Sequence, residues 1–264
     1  YGSIPAHSFK IVCKIISNFL MEADEDALND FMVNNIQSVL AKFEENKEEV
    51  ESLEYNDELN DSCYICQGCL RIFSALSNQY DNISKKDPLF VREKFIPPFL
   101  EALNFQNKYM KITTIKYIYY IINWSPNDVI TFLCGDEFLN FFFPLVTNDD
   151  KPKNCLSFYS TLILKSISKL HDQDVIEKLH NFNPFDVDFS ELPNHSRLFY
   201  LGFLFNIAQT DQRYADEFIQ SNSLLSIINK DANEICYIVS IEGINDEKFV
   251  KYITCIYKNY PSTR

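Results

Sequence analysis

Apolar residues recur at helical spacing along almost the whole chain. Phe9, Val12, Cys13, Ile16, Phe19 and Leu20 mark one face of a helix over Ser8–Met21. The acidic run Ala23-Asp24-Glu25-Asp26 suits a helix start, because carboxylates are stabilised at the positive end of the helix dipole. Helices are predicted next over Ala27–Val33 and Ile36–Phe43, then Ser62–Tyr80, a short apolar segment Phe95–Leu103, and Asn107–Trp124. Ser125-Pro126-Asn127-Asp128 caps a short helix Val129–Leu133, which Gly135 breaks before another over Asp136–Val146. The cycle then repeats: Asn154–Leu170 long, Asp174–Leu179 short, Asn194–Gln209 long, Ala215–Ile219 short. Leu224–Ile228, Ile235–Ile241 and a closing helix Asp246–Tyr260 complete the pattern, with 81–88 and 183–192 as irregular connections. No stretch alternates as a strand would, and five glycines in 264 residues leave little material for tight hairpin turns.

The long helices share an ending. Ile15-Ile16-Ser17-Asn18, Ala75-Leu76-Ser77-Asn78, Ile121-Ile122-Asn123, Ser166-Ile167-Ser168-Lys169 and Phe203-Leu204-Phe205-Asn206 place anchors at 18, 78, 123, 169 and 206. The steps are 60, 45, 46 and 37, the range of stacked helical repeats. Asp128-Val129-Ile130 and Asp174-Val175-Ile176, each opening a short helix, stand 46 apart. The excess in the first step falls on 44–61, a stretch of nine acidic residues and one Lys that reads as a helix extension into a wet acidic loop.

Ala75-Leu76-Ser77-Asn78, Ile121-Ile122-Asn123 and Leu204-Phe205-Asn206-Ile207-Ala208 make the unit resemble the armadillo repeat, with HEAT repeats as a close alternative. Gly135-Asp136-Glu137-Phe138-Leu139 looks like the turn that opens an armadillo second helix, although most units lack that Gly. The resemblance implies an all-α fold: a right-handed α-solenoid of armadillo-like repeats with helical end caps. It implies a single repeat domain over 1–264, with the insertion 44–61 and a C-terminal cap over 245–260. It also implies that the anchor Asn side chains clamp an extended peptide on a concave face, an amide offering both donor and acceptor. The tryptophans that line the groove of importin-α-like proteins are missing here, so binding of nuclear-localisation signals is not implied.

Charge changes the picture. The chain carries a formal −13, which taken whole repels nucleic acid and anionic membranes. Yet windows 8–21, 62–80, 106–125, 154–171 and 194–210 hold nine Lys or Arg and no Asp or Glu. Stepping back from each anchor by four and seven residues, on the anchor's own face, reaches Lys14, Arg71, Lys116, Tyr119 and Lys165. Stepping back by two, five and nine reaches mostly apolar residues, the predicted core. The candidate peptide-binding row is therefore Lys14, Asn18, Arg71, Asn78, Lys116, Tyr119, Asn123, Lys165, Lys169 and Asn206. Its expected partner is a protein segment rich in Asp, Glu or phosphate. The competing structural expectation is that long buried helices exclude carboxylates while their lysines snorkel at the edges. RNA or another polyanion on the same row is an alternative ligand, and a purely structural domain of a larger cytoskeletal or signalling protein is a third. The acidic stretch 44–61 could itself fold onto the row as a self-blocking ligand.

Candidate chemistry is thin. Cys63, Cys66 and Cys69 have the spacing of part of a metal motif, but no fourth ligand follows and small buried thiols suit a helix core. His7, His171, His180 and His195 pair with nothing at metal spacing, and no nucleophile-elbow, phosphate-loop or zinc-protease motif occurs. The expectation is a binding protein without cofactor, metal or catalytic residues. Eight cysteines with no secretory leader or membrane-length apolar run point to reduced thiols, hence cytoplasm or nucleus. The chain opens at Tyr1 without Met, and the expectation is a trimmed chain or a fragment.

Overall fold

The computed structural model describes residues 5–79, 94–124, 134–147, 155–170, 172–188 and 191–221. Among them every regular element is a helix. The predicted short helix Val129–Leu133, the loop 81–88, everything predicted after 221, including the cap 245–260, and His171 lie outside the described residues. No described helix is long and apolar enough to cross a membrane. The chain divides into two compact units, 1–142 and 143–264.

In the first unit, α1 (Ala6–Glu22), α2 (Glu25–Asn34), α3 (Ile36–Glu51) and α4 (Asp61–Asn78) follow in close succession. Then come α5 (Pro97–Ala102), α6 (Lys108–Trp124) and α7 (Asp136–Phe142). Caps explain several starts. The Asp24 carboxylate accepts from Ala27 N–H at 2.9 Å, and the Asn60 side chain accepts from Cys63 N–H at 2.9 Å. Each such cap satisfies a donor that a helix leaves orphaned in its first turn. Pro97 and Pro98 open α5, where a missing N–H is harmless.

Helix α4 is the hub. It is buried along most of its length and packs against α1, α3 and α6. Cys63, Cys66, Cys69, Leu70, Phe73 and Leu76 are almost wholly inaccessible to solvent. Phe73 meets Phe43 of α3 edge-on at 6.2 Å and stacks with Phe95 at 6.1 Å. Gly68 lets α1 approach closely: a Cβ placed there would stand 3.0 Å from Cys13 Sγ and 3.3 Å from Phe9 Cε1. The core phases predicted on α4 and α6 are observed, with Cys69, Phe73 and Leu76, and Thr114, Ile118 and Ile121, all buried.

The acidic stretch is a helix to Glu51 and then a loop. Lys47 pairs with Glu44 of its own helix and with Glu101 beyond α5's start, which holds its pKa above the usual lysine value, Glu101 contributing most. Buried Asn107 fixes the loop. Its Nδ2 donates to the carbonyls of Asp57 (2.9 Å) and Glu54 (3.4 Å), while its Oδ1 accepts from Tyr109 and Met110 N–H at the start of α6.

In the second unit a 3₁₀ turn Phe143–Leu145 leads to α8 (Cys155–Ser168) and α9 (Gln173–His180). A second 3₁₀ turn Pro184–Asp186 precedes α10 (Asn194–Thr210) and α11 (Gln212–Gln220). Helices α8 and α10 form the central pair, flanked by α9 and α11. Asp172 and Asp211 cap α9 and α11 by accepting from Val175 and Arg213 N–H. The Tyr200 hydroxyl, fully buried, donates to Pro184 O at 2.7 Å and ties α10 to the turn. That turn starts at Asn183, whose positive φ of 51° is one that Asn tolerates better than most residues.

Candidate functional site

Helices α1 and α6 both lie against α4, and their C-terminal halves enclose a groove of about 480 Å³. α4 supplies Arg71, Ser74, Ala75 and Asn78 along one row, spaced three, one and three residues apart as a helix face requires. From α1 come Ser17 and Met21; from α6 come Lys116, Tyr117 and Tyr120.

Arg71 joins all three helices. Its Nε–H donates to Ser17 Oγ at 2.9 Å and Nη2 to Asn18 Oδ1 at 3.4 Å. Its guanidinium also lies beside the Tyr117 phenol. Burial raises the Tyr117 pKa, and the positive charge of Arg71 opposes that rise. Lys116 Nζ stands 5.8 Å from the centre of the Tyr120 ring, a cation–π arrangement. Nearby on α1, Lys10 has a pKa below the ordinary lysine value, through burial first and the charge of Arg71 second. Among the described residues no carboxylate pairs with Arg71 or Lys116. Asn78 Oδ1 is buried and has no hydrogen-bond partner among the described residues. Such an orphan is uncommon enough to call for a reason.

Of the sequence-predicted row, Arg71, Asn78 and Lys116 line the groove, and Asn18 touches Arg71 at its rim. Lys14 is exposed on α1, and its carbonyl accepts from the Ser17 hydroxyl that holds Arg71. Tyr119 and Asn123 of α6 are not among the groove-lining residues: Asn123 Nδ2 donates to Tyr119 O at 2.8 Å, and the Tyr119 ring leans on Tyr120 at 5.9 Å. The flank facing the groove is instead Tyr117 and Tyr120, which the anchor spacing did not select. The available signal was their position one and four residues after Lys116.

The remaining three residues are in the second unit. Lys165 is buried, only 7% exposed, where the row predicted an open cation. Its stem lies against the Cα of Gly202, and its Nζ stands 5.4 Å from the Phe199 ring of α10. With no side chain on Gly202, the lysine can lie flat between the helices. Asn206 Nδ2 donates across the helix pair to Lys165 O (3.2 Å) and Ser168 Oγ (3.0 Å), so this anchor amide bonds to a neighbouring helix. Lys169 is exposed just past the end of α8.

The other candidate chemistry is buried. Desolvation pushes the Cys13 thiol up to about 11 and that of Cys66 to about 12, and raises Cys63 and Cys69 as well. Thiols held neutral are poor nucleophiles and poor metal ligands. The acidic loop reaches Asn107 and Lys108 at the N-terminal end of α6, and Glu49 accepts from Asn60 and Ser62 at the start of α4. The contacts of this acidic stretch are thus at the opposite ends of α4 and α6 from Asn78 and Tyr120. No family model and no curated protein matches the sequence, so the functional reading rests on the chemistry of this groove.

Proposed function

We propose that the chain is a protein-interaction scaffold of the armadillo-like kind, an α-solenoid whose α1–α4–α6 groove docks an extended acidic or phosphorylated peptide. One observation carries the reading: Arg71 and Lys116, from neighbouring helices of a chain of net charge −13, line one groove with no paired carboxylate among the described residues. Cations whose internal partners are all uncharged are suited to an external anion. The orphaned Asn78 carbonyl adds to this. Asn78 lines the groove, so its amide is beside the space a peptide would occupy. The role is binding, without cofactor or catalysis, in cytoplasm or nucleus.

The test is fluorescence anisotropy with a labelled nonapeptide rich in Glu, its Gln counterpart, and single-stranded RNA. The Glu peptide is expected to bind wild-type protein, and Lys116→Glu to weaken it by about tenfold or more, the loss of one charge-assisted contact. Equal affinity for the Glu and Gln peptides, or tighter binding of RNA with steep salt dependence, refutes the proposal.

A further inference from the structure

We infer that the groove takes the side chain of a phosphotyrosine carried by the partner peptide. The inference rests on the acidic-peptide reading and narrows it to one chemical group.

Charge is the first argument. A carboxylate brings one negative charge, whereas a phosphate monoester carries about −1.5 to −2 at neutral pH. Arg71 and Lys116 together present two positive charges. Donor count agrees. The guanidinium has five N–H groups, and Ser17, Asn18 and the Tyr117 phenol account for three. Further N–H groups, the Lys116 ammonium and the hydroxyls of Ser74 and Tyr120 surround the space, matching the three terminal oxygens of a phosphate. The Ser17 and Asn18 bonds also hold the guanidinium in place before a ligand arrives, so little side-chain freedom is lost on binding.

Shape is the second argument. About 480 Å³ lies within the usual span of pockets for whole small molecules, about 300–1,000 Å³. A phosphate on a short serine stem would leave much of that volume to water. The walls between the cations are apolar or aromatic: Met21, Ala75 and the rings of Tyr117 and Tyr120. A phenyl ring can pack offset or edge-on against those tyrosines while its phosphate reaches the cations. Lys116 is already above the Tyr120 ring, so the ring wall and the positive charge are side by side.

Isothermal titration of the full chain with four nonapeptides tests this. They share Gly, Ser and Glu flanks and differ only in a central phosphotyrosine, phosphoserine, Glu or Tyr. The phosphotyrosine peptide is expected to bind about tenfold tighter than each of the others, as a further charge-assisted contact and a buried ring imply. Phenyl phosphate should displace it, and inorganic phosphate at the same concentration should not; this arm reads the site without any substitution. Lys116→Gln should weaken phosphotyrosine binding while Lys111→Gln, the same charge loss outside the groove lining, leaves it unchanged. Equal affinity for phosphotyrosine, phosphoserine and Glu overturns the inference and leaves the acidic-peptide reading standing. Failure of all four peptides to bind overturns both. Equal losses in Lys116→Gln and Lys111→Gln overturn the assignment of the site to this groove.

Discussion

The groove exists only while α1 stays seated on α4, and Gly68 sets how close that seat is. Gly68→Ala places a Cβ 3.0 Å from Cys13 Sγ, 3.2 Å from Cys13 Cβ and 3.3 Å from Phe9 Cε1. Comfortable contacts between such atoms lie near 3.5–4.0 Å. The overpacking opposes folding by about 1–3 kcal/mol, while Ala in place of Gly within a helix favours it by roughly 1 kcal/mol. Subtracting one from the other leaves a loss of about 1 kcal/mol. Cys13→Ala on its own also loses about 1 kcal/mol, because a buried sulfur is replaced by a void. In the double variant the new methyl at 68 occupies the space the sulfur vacates. The pair should therefore be about 1 kcal/mol more stable than the sum of the singles, and helix-propensity terms cancel in the cycle. Urea unfolding measures this. Far-UV circular dichroism of the helices is the readout. Additivity within about 0.5 kcal/mol, at unchanged m-value, refutes a helix crossing at Gly68. The same contact predicts that Gly68→Leu pushes α1 away, separates Ser17 and Asn18 from Arg71, and abolishes anion binding along with stability.

Three further outcomes follow from buried polar groups and thiols. Asn107→Ala removes a cap of α6 and two bonds to loop carbonyls, so it should lose about 2 kcal/mol and open 52–60 to limited proteolysis. The folded state keeps thiol protons that the unfolded state releases, so Cys13, Cys66 and Cys69 contribute stability fully below an ordinary thiol pKa of about 8.5, and it declines as pH rises further. Accordingly, iodoacetamide at pH 8 should label these three slowly in native protein and fast in urea, as mapped by mass spectrometry. Lys116→Glu should weaken acidic-peptide binding with little change in thermal unfolding, whereas Lys165→Glu, which replaces a buried side chain lying on Gly202 and Phe199, should lose about 3 kcal/mol or more.

Helices were legible because their ends and cores are written locally. Asp24 and Asn60 stand one cap position before α2 and α4, and the apolar rows on α4 and α6 return every three or four residues. The groove was half legible. Arg71, Asn78 and Lys116 came from counting back along each helix, which finds residues that share a face. Counting cannot say how far a helix is turned about its own axis once it packs. On α6 the residues beside Lys116 in the groove are Tyr117 and Tyr120, two positions before and one after the Tyr119 that the count selects.

The fate of each cation on the row was decided by the residue opposite it on the next helix, which no count along one helix contains. Arg71 meets Ser17 and Asn18 on α1. A hydroxyl and an amide can accept from a guanidinium, so the side chain is held by its inner edge with its charge at the groove. Lys165 meets Gly202 on α10, where the absence of a side chain leaves a slot that the alkyl stem fills. Its charge is carried toward the Phe199 ring and out of reach of a large ligand. Both residues share the anchor's face in the same pattern, Arg71 seven before Asn78 and Lys165 four before Lys169. Exchanging their opposite numbers should exchange their behaviour: Gly202→Ser, by closing the slot, should raise the exposure of the Lys165 amine. Acetylation of Lys165 by a small anhydride, read by mass spectrometry, should then be faster than in wild type, and an unchanged rate would show that something other than the facing residue governs which cations stay available.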